Sequence, residues 1–163
     1  MHKLSYLYDA EDDLDFDESC HYYLDIPLLY DTDAFLNEPV QFLFDTGAYI
    51  TVINKKTAIL FGFDKLPSVV EHFPLAGISG FCDASLKEIP GMIIGGKVLK
   101  GVKVAIPHDD TKYCILGLNV LDYFKYLIDS EYKKVYFSNN PNYKMPDELK
   151  SASIMKVSGT ITA

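Results

Sequence analysis

Tryptophan is absent from the 163 residues, basic side chains are outnumbered, and cysteine is scarce. Lys and Arg total 15 against 23 Asp and Glu, for a formal charge of -8. Phosphate neutralisation needs clustered cations, so this balance excludes a nucleic-acid partner and disfavours an anionic membrane surface. No run approaches the ~20 apolar residues of a membrane-spanning helix. The opening stretch, Met1 to Tyr8, runs into acids without building the apolar core of a signal peptide. Cys20, Cys82 and Cys114 are odd in number and far apart, which excludes a disulfide framework and fits reduced thiols. A cytoplasmic location is therefore expected. Cys82 and Cys114 lie in strand-like settings and read as buried thiols rather than nucleophiles. His2, His21, His72 and His108 are scattered with no pair at helical spacing, so they read as surface or packing residues and no metal or cofactor is expected. Gly77-Ile78-Ser79-Gly80 lacks the spacing of a nucleophile elbow.

What is present is Tyr and Phe beside short runs rich in Val, Ile and Thr, in a chain that is 48% apolar. That composition predicts one mostly β domain with enough apolar surface for a core. The acids between Asp9 and Glu18 repel one another and predict a solvated arm. Asp13, Asp15 and Asp17 resemble the start of a calcium loop, but Glu18 and Leu24 occupy the places that need Gly and Glu. From His21 the pattern becomes strand-like, with paired runs at His21–Tyr30 and Pro39–Phe44. Asn54 is positioned to cap a helix over Lys55–Phe61, with Gly62 ending it. Glu71–Ala76 and Phe81–Leu86 predict a hairpin with its tip at Gly77 to Gly80, and Gly95-Gly96 a second tight turn. A short helix is expected across Val120–Tyr126, strands at Leu127-Ile128 and Val135–Phe137, and a late strand within Ile154–Ile161.

The chemistry-bearing segment is Phe42-Leu43-Phe44-Asp45-Thr46-Gly47-Ala48. A carboxylate stands at the end of an apolar strand, where side chains are held rigidly, and Gly47 allows close approach of another backbone or a ligand. The Thr46 hydroxyl can hydrogen-bond to whatever packs against the turn. Thr51-Val52-Ile53, then Ala76-Gly77-Ile78-Ser79-Gly80-Phe81, then Ile115-Leu116-Gly117 and Ile128-Asp129 follow in order. Taken together, this order over residues 21–137 resembles the retropepsin-like aspartic peptidases.

The resemblance implies a closed β-barrel with one or two short helices, one lobe per chain. It covers residues 21–137 as the peptidase domain, while residues 1–20, an acidic N-terminal arm, and 138–163, a C-terminal extension that could reach a dimer interface, have no counterpart in a minimal domain of that family. Asp45 is then the catalytic residue, Thr46, Gly47 and Ala48 its active-site loop, and Gly77, Ile78, Ser79 and Gly80 a flap over bound substrate. Asp31-Thr32-Asp33, Asp110-Thr111-Lys112 and Asp129-Ser130-Glu131 all lack the Gly of a second active-site motif. A homodimer is therefore expected to supply the second Asp45, and the implied activity is hydrolysis of polypeptides by a water held between the pair. Relatives with Ser after the Gly have a hydroxyl that favours the ionised carboxylate. Ala48 offers none, so activity extending toward neutral pH is expected. The rival reading is a dimeric module that keeps this fold to bind peptides or partner proteins without cutting them.

Overall fold

The computed structural model describes residues 8–17, 21–31, 34–35, 39–77, 80–139 and 153–156. β1 (Ala10–Asp13) and β2 (Asp15–Phe16) lead into β3 (Tyr22–Ile26), β4 (Leu28–Asp31), β5 (Ala34–Phe35) and β6 (Val40–Phe44). After the Asp45 turn come α1 (Lys55–Phe61), a 3-10 turn at Phe63–Lys65, and the long strands β7 (Ser68–Gly77), β8 (Gly80–Ile94) and β9 (Lys97–Pro107). β10 (Cys114–Leu116), α2 (Leu118–Leu121), β11 (Phe124–Asp129), β12 (Lys134–Asn139) and β13 (Ser153–Lys156) complete the order. The mostly β class expected from composition is the class observed.

Among the described residues the strand pairings run as three open sets. These are β1-β12-β11, β10-β6-β3-β2, and β13-β9-β8-β4-β5 with β7 on β8. A closed ring of strands, which the resemblance led us to expect, is not among them. The main core fills the space between the sets with Leu24, Ile26, Phe42, Met92, Leu99, Val135 and Phe137.

Local signals explain much of this. The Asn54 side chain accepts from the Thr57 N–H, and Gly62 closes α1 at φ 76°. Gly95 and Gly96, at φ 61° and 71°, make the tight turn between β8 and β9. A Cβ on Gly95 would also meet the Phe124 ring at 2.8 Å.

Some expectations are corrected. The helix foreseen over Val120–Tyr126 is confined to Leu118–Leu121, and the chain turns to strand from Phe124. Phe124 packs edge-on against Phe137 at 5.2 Å, and Tyr126 against Phe44 at 5.4 Å. These alternate positions suit a strand on β12 rather than a helix. The acidic stretch is likewise no free arm over residues 10–16. Ala10–Asp13 pairs antiparallel with Lys134–Phe137, Leu14 is buried, and Asp15–Phe16 pairs with β3. Lys134 offsets part of the repulsion, its Nζ 2.7 Å from Asp13 Oδ1, and Lys133 Nζ sits 4.4 Å from the Phe16 ring centroid. At the other end, Ser153–Lys156 pairs with Lys97–Lys100, and the rest of Ile154–Ile161 lies outside the described residues.

Pairing β1 to β12 puts Asp12 under strain of a different kind. Burial, with Asp13 and Glu11 adding repulsion, pushes its carboxyl up to about 6 from 3.8. Because the folded value is the higher one, the native state binds more protons than the unfolded chain between those values. Stability therefore falls as pH rises through that window, and the deficit is complete above it. Asp12→Asn is expected to remove this slope and raise stability at neutral pH by ~1–2 kcal/mol, read from urea midpoints at several pH values.

Candidate active site

β6 and β10 run parallel, with Phe42, Leu43 and Phe44 opposite Cys114, Ile115 and Leu116. The chain leaves β6 through the Asp45 turn and returns on the other side of β10. There Val52 exchanges hydrogen bonds with Ile115, both 2.8 Å. Thr51 and Ile53 bond to Ala105 of β9. The Asp45 turn is thus held between two stretches of regular backbone pairing.

Within the turn, the Asp45 N–H donates to Leu116 O at 3.2 Å and the Ala48 N–H to Asp45 O at 3.3 Å. The Gly47 N–H donates to Asp45 Oδ1 at 2.8 Å. A Cβ on Gly47 would crowd that same oxygen at 3.1 Å, so this glycine keeps space for the carboxylate. Asp45 is partly exposed, and Thr46 and Gly47 are exposed beside it.

A buried polar cluster fixes the turn from behind. The Thr51 backbone N–H and hydroxyl both donate to Asn119 Oδ1, at 2.7 and 2.8 Å. The Thr51 hydroxyl accepts from the Gly117 N–H at 3.1 Å, and Asn119 Nδ2 donates to Lys103 O at 2.8 Å. Gly117 itself lies so close to the turn that a Cβ would stand 2.6 Å from Ile50 O and 2.9 Å from Ala48 O. The Leu118 N–H donates to Ala48 O at 2.7 Å. The sequence places Thr51 and Gly117 in the ordered motif segments, but assigns neither Thr51 nor Asn119 a role. Their separation along the chain hides the pairing, and only the fold joins them.

The carboxylate opens onto a groove of about 330 Å³. Its walls include Ala48, Tyr49, Leu75, Ala76, Cys82 and Tyr113. Leu75, Ala76 and Cys82 belong to the β7–β8 hairpin, where Gly77 pairs with Gly80 at the far end. Ile78 and Ser79 lie outside the described residues. A second apolar cluster of Ile50, Val52, Ala84 and Ala105, with Phe73, Leu75, Leu86 and Ile115 against it, ties this hairpin to the Asp45 turn. Tyr49 adds a link, its hydroxyl donating to Pro74 O at 3.4 Å.

The cysteines divide. Cys114 is buried as expected, and burial pushes its thiol up, away from thiolate reactivity. Cys82 is only half-buried and lines the groove, which corrects its reading as a core thiol. Cys20 lies outside the described residues. Nor are the histidines all isolated, since His72 and His108 both approach Asp83.

Among the described residues no helix is long and apolar enough to cross a membrane. Residues 34–123, more than half of the chain, match the family described as "gag-polyprotein putative aspartyl protease". The fold is similar to that of a retropepsin-like aspartic protease from Rickettsia conorii, with a TM-score of 0.55 and 21% identity. That alignment covers 78% of this chain and 90% of the other. No curated protein matches the chain.

Thr51→Val keeps the side-chain shape but removes the hydroxyl between Gly117 and Asn119. It is expected to cost about 1–3 kcal/mol in urea unfolding, because the Gly117 N–H loses its acceptor in a buried setting. Gly117→Ala is expected to cost more, since its Cβ would meet backbone rather than a movable side chain.

Proposed function

The chain belongs to the retropepsin-like aspartyl protease family that its residues 34–123 match, and from that premise we propose that it is an aspartic endopeptidase working as a homodimer with one Asp45 from each subunit. The observation that carries this reading is the placement of Asp45. It is held by strands, half-exposed at a turn tip, and opens onto a groove beside a long hairpin. These 163 residues contain one Asp-Thr-Gly, so in this reading the second carboxylate comes from another copy. Thr46 and Gly47 are exposed on the same tip, where a partner's turn would pack. In this reading 21–137 is the peptidase unit, completed as a closed barrel, with 138–163 contributing to the dimer interface.

Two carboxylates about 3 Å apart cannot both ionise, so the pair holds one proton. The ionised member removes a proton from a water between them, and the protonated member polarises the peptide carbonyl. The resulting hydroxide adds to that carbonyl carbon, and a proton returned to the nitrogen releases the amine. Extended polypeptide lies along the groove, and the tip from Gly77 through Ile78 and Ser79 to Gly80 closes over it and excludes water.

Asp45→Asn is expected to abolish cleavage of a diverse peptide mixture while leaving the dimer mass and unfolding curve unchanged. Cleavage at the wild-type rate by that variant would refute the dyad. Peptide binding by wild-type protein without any cleavage would identify a binding module instead. Ala48→Ser introduces a donor beside the carboxylate and is expected to move the activity profile toward acid. An unmoved or upward-shifted acid limb rules that out.

A further inference from the structure

Opposite the groove, the middle of the β7–β8 hairpin gathers polar side chains that the proposed cleavage does not use. β8 pairs with β7 on one side and β9 on the other, so Asp83 faces Pro74 across one ladder. On the other side the His108 N–H donates to Asp83 O at 3.0 Å. β7 carries one extra residue between Val70 and Phe73 relative to β8, a bulge that re-aims the side chains beside it. His72 lies in that bulge. As a result His72 Nδ1 and His108 Nδ1 both approach the same oxygen, Asp83 Oδ2, at 2.8 and 3.0 Å.

We propose that His72, Asp83 and His108 form a binding site for a divalent transition-metal ion of the zinc class on the solvent face of this hairpin.

The donor set is two imidazoles and a carboxylate, which suits zinc and its neighbours rather than calcium or magnesium. The donor atoms lie within 4.8 Å of one another. Ligands about 2.1 Å from an ion sit ~3.0 Å apart when they subtend a right angle and ~3.4 Å apart in a tetrahedron. The two His–Asp distances match the first value and reach the second by small side-chain rotations. The His72 and His108 rings are near perpendicular, at 82°, and so approach the carboxylate from different sides. His108 also has its outer partner in place: Nε2 is 2.9 Å from Ser85 Oγ. An oriented second nitrogen of this kind sets which ring atom faces the metal. All three side chains are reachable, at 77%, 48% and 41% exposure for His72, Asp83 and His108, which leaves open positions for water or a further donor. Glu71 and the Asp109-Asp110 pair lie next to the ligands in sequence, within a chain of net charge -8, a setting that favours a cation. A bound ion would cross-link β7, β8 and the residue after β9 midway along the hairpin, without involving Asp45.

The full chain, stripped with chelator and titrated with Zn²⁺ at about pH 7.5, tests the site by calorimetry and thermal midpoint. One ion per chain is expected, with affinity weakened by about tenfold or more in His72→Ala and in His108→Ala. A zinc-dependent rise in midpoint should appear in wild type and vanish in both variants. Cys82→Ser and Asp45→Asn should bind as wild type does. His72→Gln and His108→Gln replace any Ala variant that circular dichroism shows to be unfolded. Absence of saturable binding in wild type, or wild-type affinity in either histidine variant, overturns the assignment.

Discussion

Gly117 has no room for a side chain, because the backbone of Ile50 and Ala48 passes within 3 Å of where its Cβ would be. That approach is what allows the Asp45 turn to rest directly on the segment after β10. Contact this close would leave backbone polar groups dry, and several of them find partners. Thr51 Oγ1 accepts from Gly117, Ala48 O accepts from Leu118, and Asn119 Oδ1 accepts from Thr51. Buried groups of this kind are costly when unpaired and rigid when paired. Besides the strand pairings on either side, the position of the carboxylate therefore rests on a glycine, a threonine and an asparagine that do not touch the groove.

The hairpin over the groove depends on the same region. Its inward residues, Ala84 and Leu86, pack with Ile50, Val52 and Ala105, so the arm and the Asp45 segment share one small apolar cluster. Ala84 and Ala105 are fully buried and small, which lets β8 and β9 lie close to the returning chain. A larger side chain at either place would lift the arm from the turn and widen the groove. Tyr49 and Phe73 extend this link, their rings 6.3 Å apart.

Features with a local cause were readable from the chain. The Asn54 cap, the Gly62 stop, the Gly95-Gly96 turn and the β7–β8 hairpin each follow from one or a few neighbouring residues. The turn at Asp45 was readable for the same reason. What escaped depends on distant partners. The acids of β1 read as a repelling arm because Lys133, Lys134 and the edge of β12 lie more than a hundred residues further along. The residues after Asp122 read as helix because the pairing of β11 with β12 is not written in their own period alone. Thr51 with Asn119, and His72 with Asp83 and His108, are brought together by strand order.

β8 shows how one strand serves two faces. Side chains alternate along it, so Cys82, Ala84 and Leu86 turn toward the groove and its apolar support, while Asp83 and Ser85 turn to solvent with His72 and His108. A slip of one residue against β9 would exchange the sets, placing a carboxylate and a hydroxyl against Ile50 and Val52 and exposing the alanines. The penalty for burying those polar groups without partners fixes the register, and with it the distance of the arm from Asp45. Polar residues on the outer face thus help to specify the geometry of the inner one. An ion bound at the outer face would act on the same register, because its ligands come from β7 and from the residue just after β9 as well as from β8 itself.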